Sequence, residues 1–457
     1  MSRQVAEDTT PIEEPRQLLD YLLAGAKPRS RWGHGIEYER IGVFTASGET
    51  VPFSGQQSVE AVLKALADQH GWIPLEENGH VVELSRGDLA FSLEPGAQLE
   101  FVGPVHFHID SLHSELCSIM CQVDAVSAPL GISWLAMGVN PFTPVEKIGW
   151  IPKSRYRIMS RRLARRGSLG HHMMKATAGI QGNFDFGSAE DAMAKLRMAM
   201  GVTSILTALL ANSPLYVGVP NRFRTMRAFI WLDTDPDRCG LLELAFRGDL
   251  DLQAYVDYAL AIPLLFIVRD GKWIDMEGYT FRRFMDLGRE SWHATVSDWA
   301  LHLTTIFPEV RLKQYLEVRG ADSVPPDLAV GLMACWKGLL YGPRATEEAW
   351  GLVADLGWAQ RQQLHRDVCT LGLAASVRAT PVAELARQLL EIARQGLREQ
   401  EVEGTPVETP YLEPLFALLD PVAASPAARL EKLWKGTWEG DRVKLVDYGS
   451  RITLDCP

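Results

Sequence analysis

No uninterrupted apolar run in this 457-residue chain approaches the roughly 20 residues needed to cross a bilayer. The longest runs cover residues 205–211 and 259–268, and the second contains Pro263. No membrane segment is therefore expected. Residues 1–11 are polar and acidic and do not resemble a secretory leader. Positive charge is also scarce, with 46 Lys and Arg against 57 Asp and Glu for a net charge of -11. That balance excludes a chain built mainly to grip nucleic acid, which needs a positive field over the phosphates. The six cysteines, Cys117, Cys121, Cys239, Cys335, Cys369 and Cys456, form no C-x-x-C pair, which argues against structural zinc. Cys117 and Cys121 share a helix face, a poor geometry for a mutual disulfide. Reduced thiols and a cytoplasmic setting are the expectation. The common nucleotide and hydrolase signatures are missing: no G-x-x-x-x-G-K-[ST], no complete G-x-G-x-x-G, no G-x-S-x-G and no H-E-x-x-H.

What is present is an ordinary globular balance, with 47% hydrophobic and 23% charged residues. Pro15 opens a first helix over 16–24, behind a disordered 1–15. From 31 to 105, short apolar segments at 36–44, 81–84, 90–93 and 98–102 are separated by Gly, Asn and Asp turns and read as strands. Residues 58–69 and 111–126 read as helices. Farther along, 177–186 reads as a strand, and Ser188 as the N-cap of a long helix over 189–210. Strands are expected at 225–232, 241–246 and 310–319, and a helix at 252–263. Beyond Pro326 amphipathic helices dominate, with Thr380-Pro381 and Ser425-Pro426 as helix starts and a stripe of Val382, Leu385, Leu389 and Ile392. The class is α+β, a largely antiparallel sheet with a helical C-terminal third. The expected divisions are an arm and first helix at 1–30, a core at 31–341 and a helical region at 342–457.

Polar residues two apart inside strand-like segments are the most informative feature, because side chains at i and i+2 share a face. Glu37 and Glu39 stand this way, as do Gln181 and Asn183, and Glu317 and Arg319; Glu94 and Glu100 flank a Pro-Gly turn. Solvated faces of edge strands would be the plainer account of any one pair. Four such segments, three of them acidic, point instead to one cavity. Converging carboxylates repel unless cations sit among them. Mg²⁺ with an oxygen shell is the natural cation, and it brings phosphates. His106 and His108 lack an evident third metal ligand and read as a surface pair, and His171 and His172 receive no role.

These residues resemble the plant-type glutamate–cysteine ligases, also bacterial, of the glutamine-synthetase-like carboxylate–amine ligase superfamily. The matching segments run in order: Gly35-Ile-Glu-Tyr-Glu39, Ser92-Leu-Glu-Pro-Gly-Ala-Gln-Leu-Glu100, Pro152-Lys-Ser-Arg-Tyr156, Gln181-Gly-Asn-Phe-Asp-Phe186 and Trp231-Leu-Asp-Thr-Asp235. The longest is His302-Leu-Thr-Thr-Ile-Phe-Pro-Glu-Val-Arg-Leu-Lys313, continuing into Tyr315-Leu-Glu-Val-Arg-Gly-Ala-Asp322. The resemblance covers about residues 33–341. It implies a curved six-stranded antiparallel sheet forming a funnel-like active site flanked by helices.

It further implies metal ligation by Glu37, Glu39, Glu94, Glu100 and Glu317, with Gln181 or Asn183 as a neutral ligand. Arg319 would face the transferred phosphoryl group, Arg227 would hold a glutamate carboxylate, and Lys313 would meet ATP. Trp231 and Tyr315 are candidates for the amine pocket. The implied activity is ATP-dependent glutamate–cysteine ligation through γ-glutamyl phosphate. Mg²⁺ would be the metal, with Mn²⁺ as a substitute, in a cytoplasmic monomer or homodimer that takes no nucleic acid or membrane partner. A ligase for another amine is the alternative, and a non-catalytic binding relative a remote one. Residues 157–168, rich in arginine, form a candidate lid over the acyl phosphate. Glu317→Gln is expected to abolish ADP formation with the fold intact. The departures are Ala176-Thr-Ala-Gly179 for a Thr-Cys-Thr lead, Ser-Val-Pro-Pro after Asp322, and no cysteine pair within 285–297, so the plant redox hairpin is not expected.

Overall fold

A computed structural model of the chain describes residues 10–420 and 425–451, so most of the expected disordered arm lies outside the described residues. Nine strands make one sheet: β1 (His34–Phe44), β2 (Ile73–Glu77), β3 (His80–Arg86), β4 (Leu89–Leu93), β5 (Leu99–Val102), β6 (Ile132–Leu135), β7 (Gly179–Phe184), β8 (Val310–Leu312) and β9 (Leu316–Asp322). Their order is β8-β9-β7-β1-β5-β4-β3-β2, antiparallel throughout, with β6 attached to β1. The expected count of six is corrected to nine because the eleven-residue β1 is long enough for three partners. It pairs β7 along 34–38, β5 along 37–40 and β6 along 41–44. Asn78 and Gly79, both at positive φ, turn β2 into β3, which suits a two-residue hairpin.

One face of this sheet is covered by helices. Ile180 and Val318 meet Leu206 of helix Ala189–Leu209 and Leu332 and Trp336 of helix Pro326–Tyr341. The first of these helices is capped as its sequence suggested, Ser188 Oγ accepting from Asp191 N at 3.2 Å. Every residue from Met198 to Leu209 is buried. By length and composition this helix could span a bilayer, yet 89% of its apolar window is packed inside the protein. It is the core helix, and burial of each large apolar side chain there is worth about 1.5–3 kcal/mol.

Several expected elements take a different form. The strand expected at 225–232 is a helix, Met226–Leu232, because Thr225 accepts from Ala228 N and caps it. The strand expected at 241–246 is a 3-10 turn, Glu243–Phe246. The single strand expected at 310–319 is the β8–β9 hairpin, folded back where Lys313 N donates to Tyr315 O at 2.8 Å. Thr380 does not cap a helix; it pairs in a two-residue bridge, and Pro381 stands at the N-cap of Val382–Arg398. Ser425 is at an N-cap without a side-chain cap bond. The stripe is real: Val382, Leu385 and Leu389 are buried and Ile392 packs against them. Beyond Pro326 the regular elements among the described residues are helices, apart from that bridge. Four thiols, Cys117, Cys239, Cys335 and Cys369, are free. Cys121 is disulfide-bonded, so the expectation of reduced thiols fails for it.

Candidate active site

The face of the sheet away from those helices carries a continuous row of polar side chains. Glu39 on β1 stands opposite Glu100 on β5, and Glu100 opposite Ser92 on β4. In the other direction Glu37 stands opposite Gln181 on β7, Asn183 opposite Glu317 on β9, and Glu317 opposite Arg311 on β8. The period-two rule thus brings the four separate segments onto one surface. A cavity with about 620 Å³ of empty space, open solvent included, is lined there by Glu37, Glu39, Glu94, Glu100, Gln181, Arg227, Trp231 and Arg319. Asn183, Lys313, Tyr315 and Glu317 do not line it, although Asn183 and Glu317 continue the row.

The two ends of the row differ in charge. At the acidic end, Gly179 N and Gln181 Nε2 donate to Glu39 at 2.7 and 2.9 Å, and Ser92 Oγ donates to Glu100 at 2.6 Å. Burial and the neighbouring Glu100 raise Glu39 above the usual carboxylate range. Burial, Glu100 and Glu39 push Glu94 up to about 8. The nearby cation Lys153 donates to Leu93 O at 3.3 Å rather than to these acids. Three buried acceptor oxygens have no hydrogen-bond donor: Glu94 Oε1, Gln181 Oε1 and Asn183 Oδ1.

At the basic end, Glu317 is fully buried and held by three cations. Arg311 approaches at 2.7 and 2.8 Å through Nη2 and 3.1 Å through Nε, Lys313 Nζ at 2.8 Å, and Arg319 Nη1 makes a further close pair. Burial alone would raise the Glu317 carboxyl, but Arg311, Lys313 and Arg319 hold it well below its ordinary range. Glu317, expected as a metal ligand, therefore already has its charge balanced by protein cations. Lys313, expected at ATP, spends its ammonium on Glu317 and lies 4.6 Å over the Tyr315 ring. Tyr315 sits at the hairpin turn, apart from Trp231.

Arg227 and Arg319 form the cavity's cationic wall. Arg227 Nη2 donates to Arg319 O at 3.1 Å, and both guanidinium groups lie about 6 Å from the Trp231 ring. Gly179 leaves room for Arg227, since a Cβ there would come within 2.4 Å of its Nη2 and displace the guanidinium group. Arg319 precedes Gly320 at an irregularity where the β9–β7 register shifts between Val318 and Ala321, the kind of bulge that re-aims a side chain.

Sequence reasoning missed Arg311, although Arg311 and Lys313 stand two apart like the acid pairs. It also missed Gln98, which fixes the Pro-Gly turn: its Nε2 donates to Thr177 O at 2.8 Å and its Oε1 accepts from Gly96 N at 2.9 Å. The expected lid is clamped. Arg161 and Arg162 pair with Asp275, Arg165 with Glu277, and Arg166 with Asp235 and Asp237. His106 is buried between Ser111 and Glu115, at 3.0 and 2.9 Å, rather than on the surface.

The donor chemistry fits a hard divalent cation: carboxylates facing one another across β1 and β5, and buried oxygens without donors. Among the described residues, no three Asp, Glu, His or Cys side chains gather closely enough to hold an ion as they stand.

The family model described as glutamate-cysteine ligase family 2 matches residues 34–447. The chain is 36% identical over 443 residues to the chloroplastic glutamate–cysteine ligase of Medicago truncatula, spanning 95% of this chain and 85% of that one. It is 35% identical to the chloroplastic glutamate–cysteine ligase of Arabidopsis thaliana, spanning 94% and 82%. Among solved structures, a glutamate–cysteine ligase from Francisella tularensis in complex with AMP superposes with a TM-score of 0.55 at 14% identity. It covers 93% of this chain and 90% of that one, a likeness of fold.

Proposed function

This chain belongs to glutamate–cysteine ligase family 2, and from that premise we propose that it couples ATP cleavage to joining the glutamate γ-carboxylate and the cysteine amine. The reaction runs through γ-glutamyl phosphate. The carboxylate attacks the terminal phosphorus, ADP leaves, and the amine then displaces phosphate to give the amide. The observation that carries this reading is the charge division of the row, acids at one end and guanidinium groups at the other, within one cavity.

Phosphoryl transfer needs positioning and charge neutralisation more than covalent help. Arg319 is placed to meet the phosphoryl oxygens, and Arg227 to hold the glutamate carboxylate. Trp231 gives both guanidinium groups an apolar face and keeps water from that wall. Glu39, Glu94 and Glu100, with the free oxygens of Gln181 and Asn183, are the residues that would hold Mg²⁺, with Mn²⁺ as a substitute. The ion would neutralise the triphosphate and orient it. Glu37 accepts from Asn183 Nδ2 at 3.0 Å and keeps that amide's oxygen free. A funnel-shaped site, a cytoplasmic setting and a monomeric or homodimeric state complete the reading.

The test is purified protein with ATP, Mg²⁺, glutamate and a panel of amines, with products weighed by mass spectrometry. A γ-glutamylcysteine product is expected. Stimulation of ADP release by another amine and not by cysteine would move the assignment to that acceptor. No glutamate-dependent ADP release at all would remove the ligase reading.

A further inference from the structure

Behind the arginine wall lies a buried carboxylate that the reaction scheme has not used. Glu309 precedes β8, and only 8% of its surface is exposed. Its backbone is fixed on both sides: Glu309 N donates to Gly240 O at 3.0 Å, and Glu309 O accepts from Arg319 N at 3.0 Å. Its Oε1 lies 3.5 Å from Nε2 of His365, on helix Trp358–Leu371. The Nδ1 of His365 in turn lies 3.0 Å from Ser204 Oγ on helix Ala189–Leu209. On its other side the carboxylate abuts the bulge, where a Cβ on Gly320 would come within 2.8 Å of Glu309 Oε2. Arg227, Trp231, Phe307, Glu309, Arg319 and Gly320 line one small cavity in front of it.

Ser, His and Glu in contact suggest a hydrolytic relay, but Ser204 and His365 are 3% and 1% exposed inside the helical layer, beyond any substrate's reach. Their arrangement serves something else. Arg227 and Arg319 repel each other, and Asp322, Glu39 and then Glu309 offset this for Arg227. Burial would raise Glu309, yet His365, Arg227 and Arg319 hold it below the usual carboxylate range.

Resting on the ligase reading above, we infer that Glu309 is a positioning residue for both cavity arginines. Oriented by His365 and Ser204, its charge balances the two guanidinium groups and holds the Arg319–Gly320 bulge in its working form. The balance matters for rate. Without it Arg227 would keep Asp322 and Glu39 and Arg319 would keep Glu317, but the pair would carry more unbalanced positive charge and bind phosphate in the ground state more tightly, and tight ground-state binding does not lower the barrier.

The test is Glu309→Gln in the full chain, which keeps the shape and removes the charge. The inhibition constant for inorganic phosphate should fall about tenfold and kcat should fall about tenfold or more, with KM for cysteine unchanged. A purely structural role would lower the melting temperature and leave phosphate inhibition unmoved. If Glu309→Gln does not fold, His365→Leu, which frees the carboxylate to turn, should move both constants the same way by about threefold. Phosphate inhibition and kcat within twofold of wild type in the variant that folds overturn the inference. Wild-type protein that makes no γ-glutamyl product fails the ligase reading instead, so the two failures are distinguishable.

Discussion

The acidic and basic ends of the polar row sit on one sheet face and are built from the same side-chain type, yet they place it in opposite states. Glu94 and Glu39 are pushed towards the neutral form by burial and by neighbouring acids. Glu317 is held ionised by Arg311, Lys313 and Arg319. One end gathers Glu39, Glu94 and Glu100, which outnumber the nearby Lys153 and Arg155, and is suited to receive a cation. The other has more cations than acids and is suited to receive an anion. In the reaction proposed above, a metal-bound triphosphate would present both charges to this row.

The sharpest way to break this contrast is at Glu317. Glu317→Gln leaves three cations around a buried neutral side chain, and breaking such a buried pair costs about 3–5 kcal/mol. Loss of ADP formation is expected together with a lower denaturant midpoint, which revises the expectation of an intact fold. Wild-type turnover in that variant would remove Glu317 from the site. At the opposite end, Glu94 binds its proton up to a pH of about 8. Mg²⁺ must displace that proton, so Mg²⁺ affinity should rise with pH until about 8 by up to about tenfold per unit. Calorimetric titration with Mg²⁺ alone checks the slope, and Glu94→Gln should flatten it.

Between the two ends, Gly179→Ala would push a methyl group into Arg227. Glutamate KM should rise about tenfold with cysteine KM little changed, as for lost substrate binding. The effect with no bearing on the reaction lies outside the row. Burial lowers the buried His302 to about 3, with its Nε2 2.8 Å from Ala259 O. Its folded pKa lies below the unfolded value, so the unfolded chain takes the proton first. Stability present above pH 6.5 should fall between 6.5 and 3, by at most about 1.4 kcal/mol per unit. Urea midpoints of wild type and His302→Gln at pH 7 and 4.5 would show it, the variant having the flatter slope.

The acidic end was legible in the sequence because period two survives any tertiary detail: Glu37 and Glu39 share a face wherever the strand packs. The basic end was half legible. Arg311 and Lys313 follow the same spacing, but residues 310–319 read as one strand, which hid the turn that lays Arg311 across from Glu317. Helix Met226–Leu232 was hidden by its β-branched and aromatic residues Phe229, Ile230 and Trp231, although the capping Thr225 was in plain view. Ser204, Glu309 and His365 carry no shared local pattern. Their meeting depends on two helices closing over the bulge, which no spacing rule encodes.

The Pro95-Gly96 turn has a mechanical consequence. A Cβ on Gly96 would come within 2.3 Å of Lys175 O, so the turn presses its backbone on helix Gly170–Ala176. That helix supplies Met173 and Met174 to the cavity wall. Glu94 and the two methionines are thereby joined through one tight backbone contact, and any displacement of the helix would be passed on to the carboxylate.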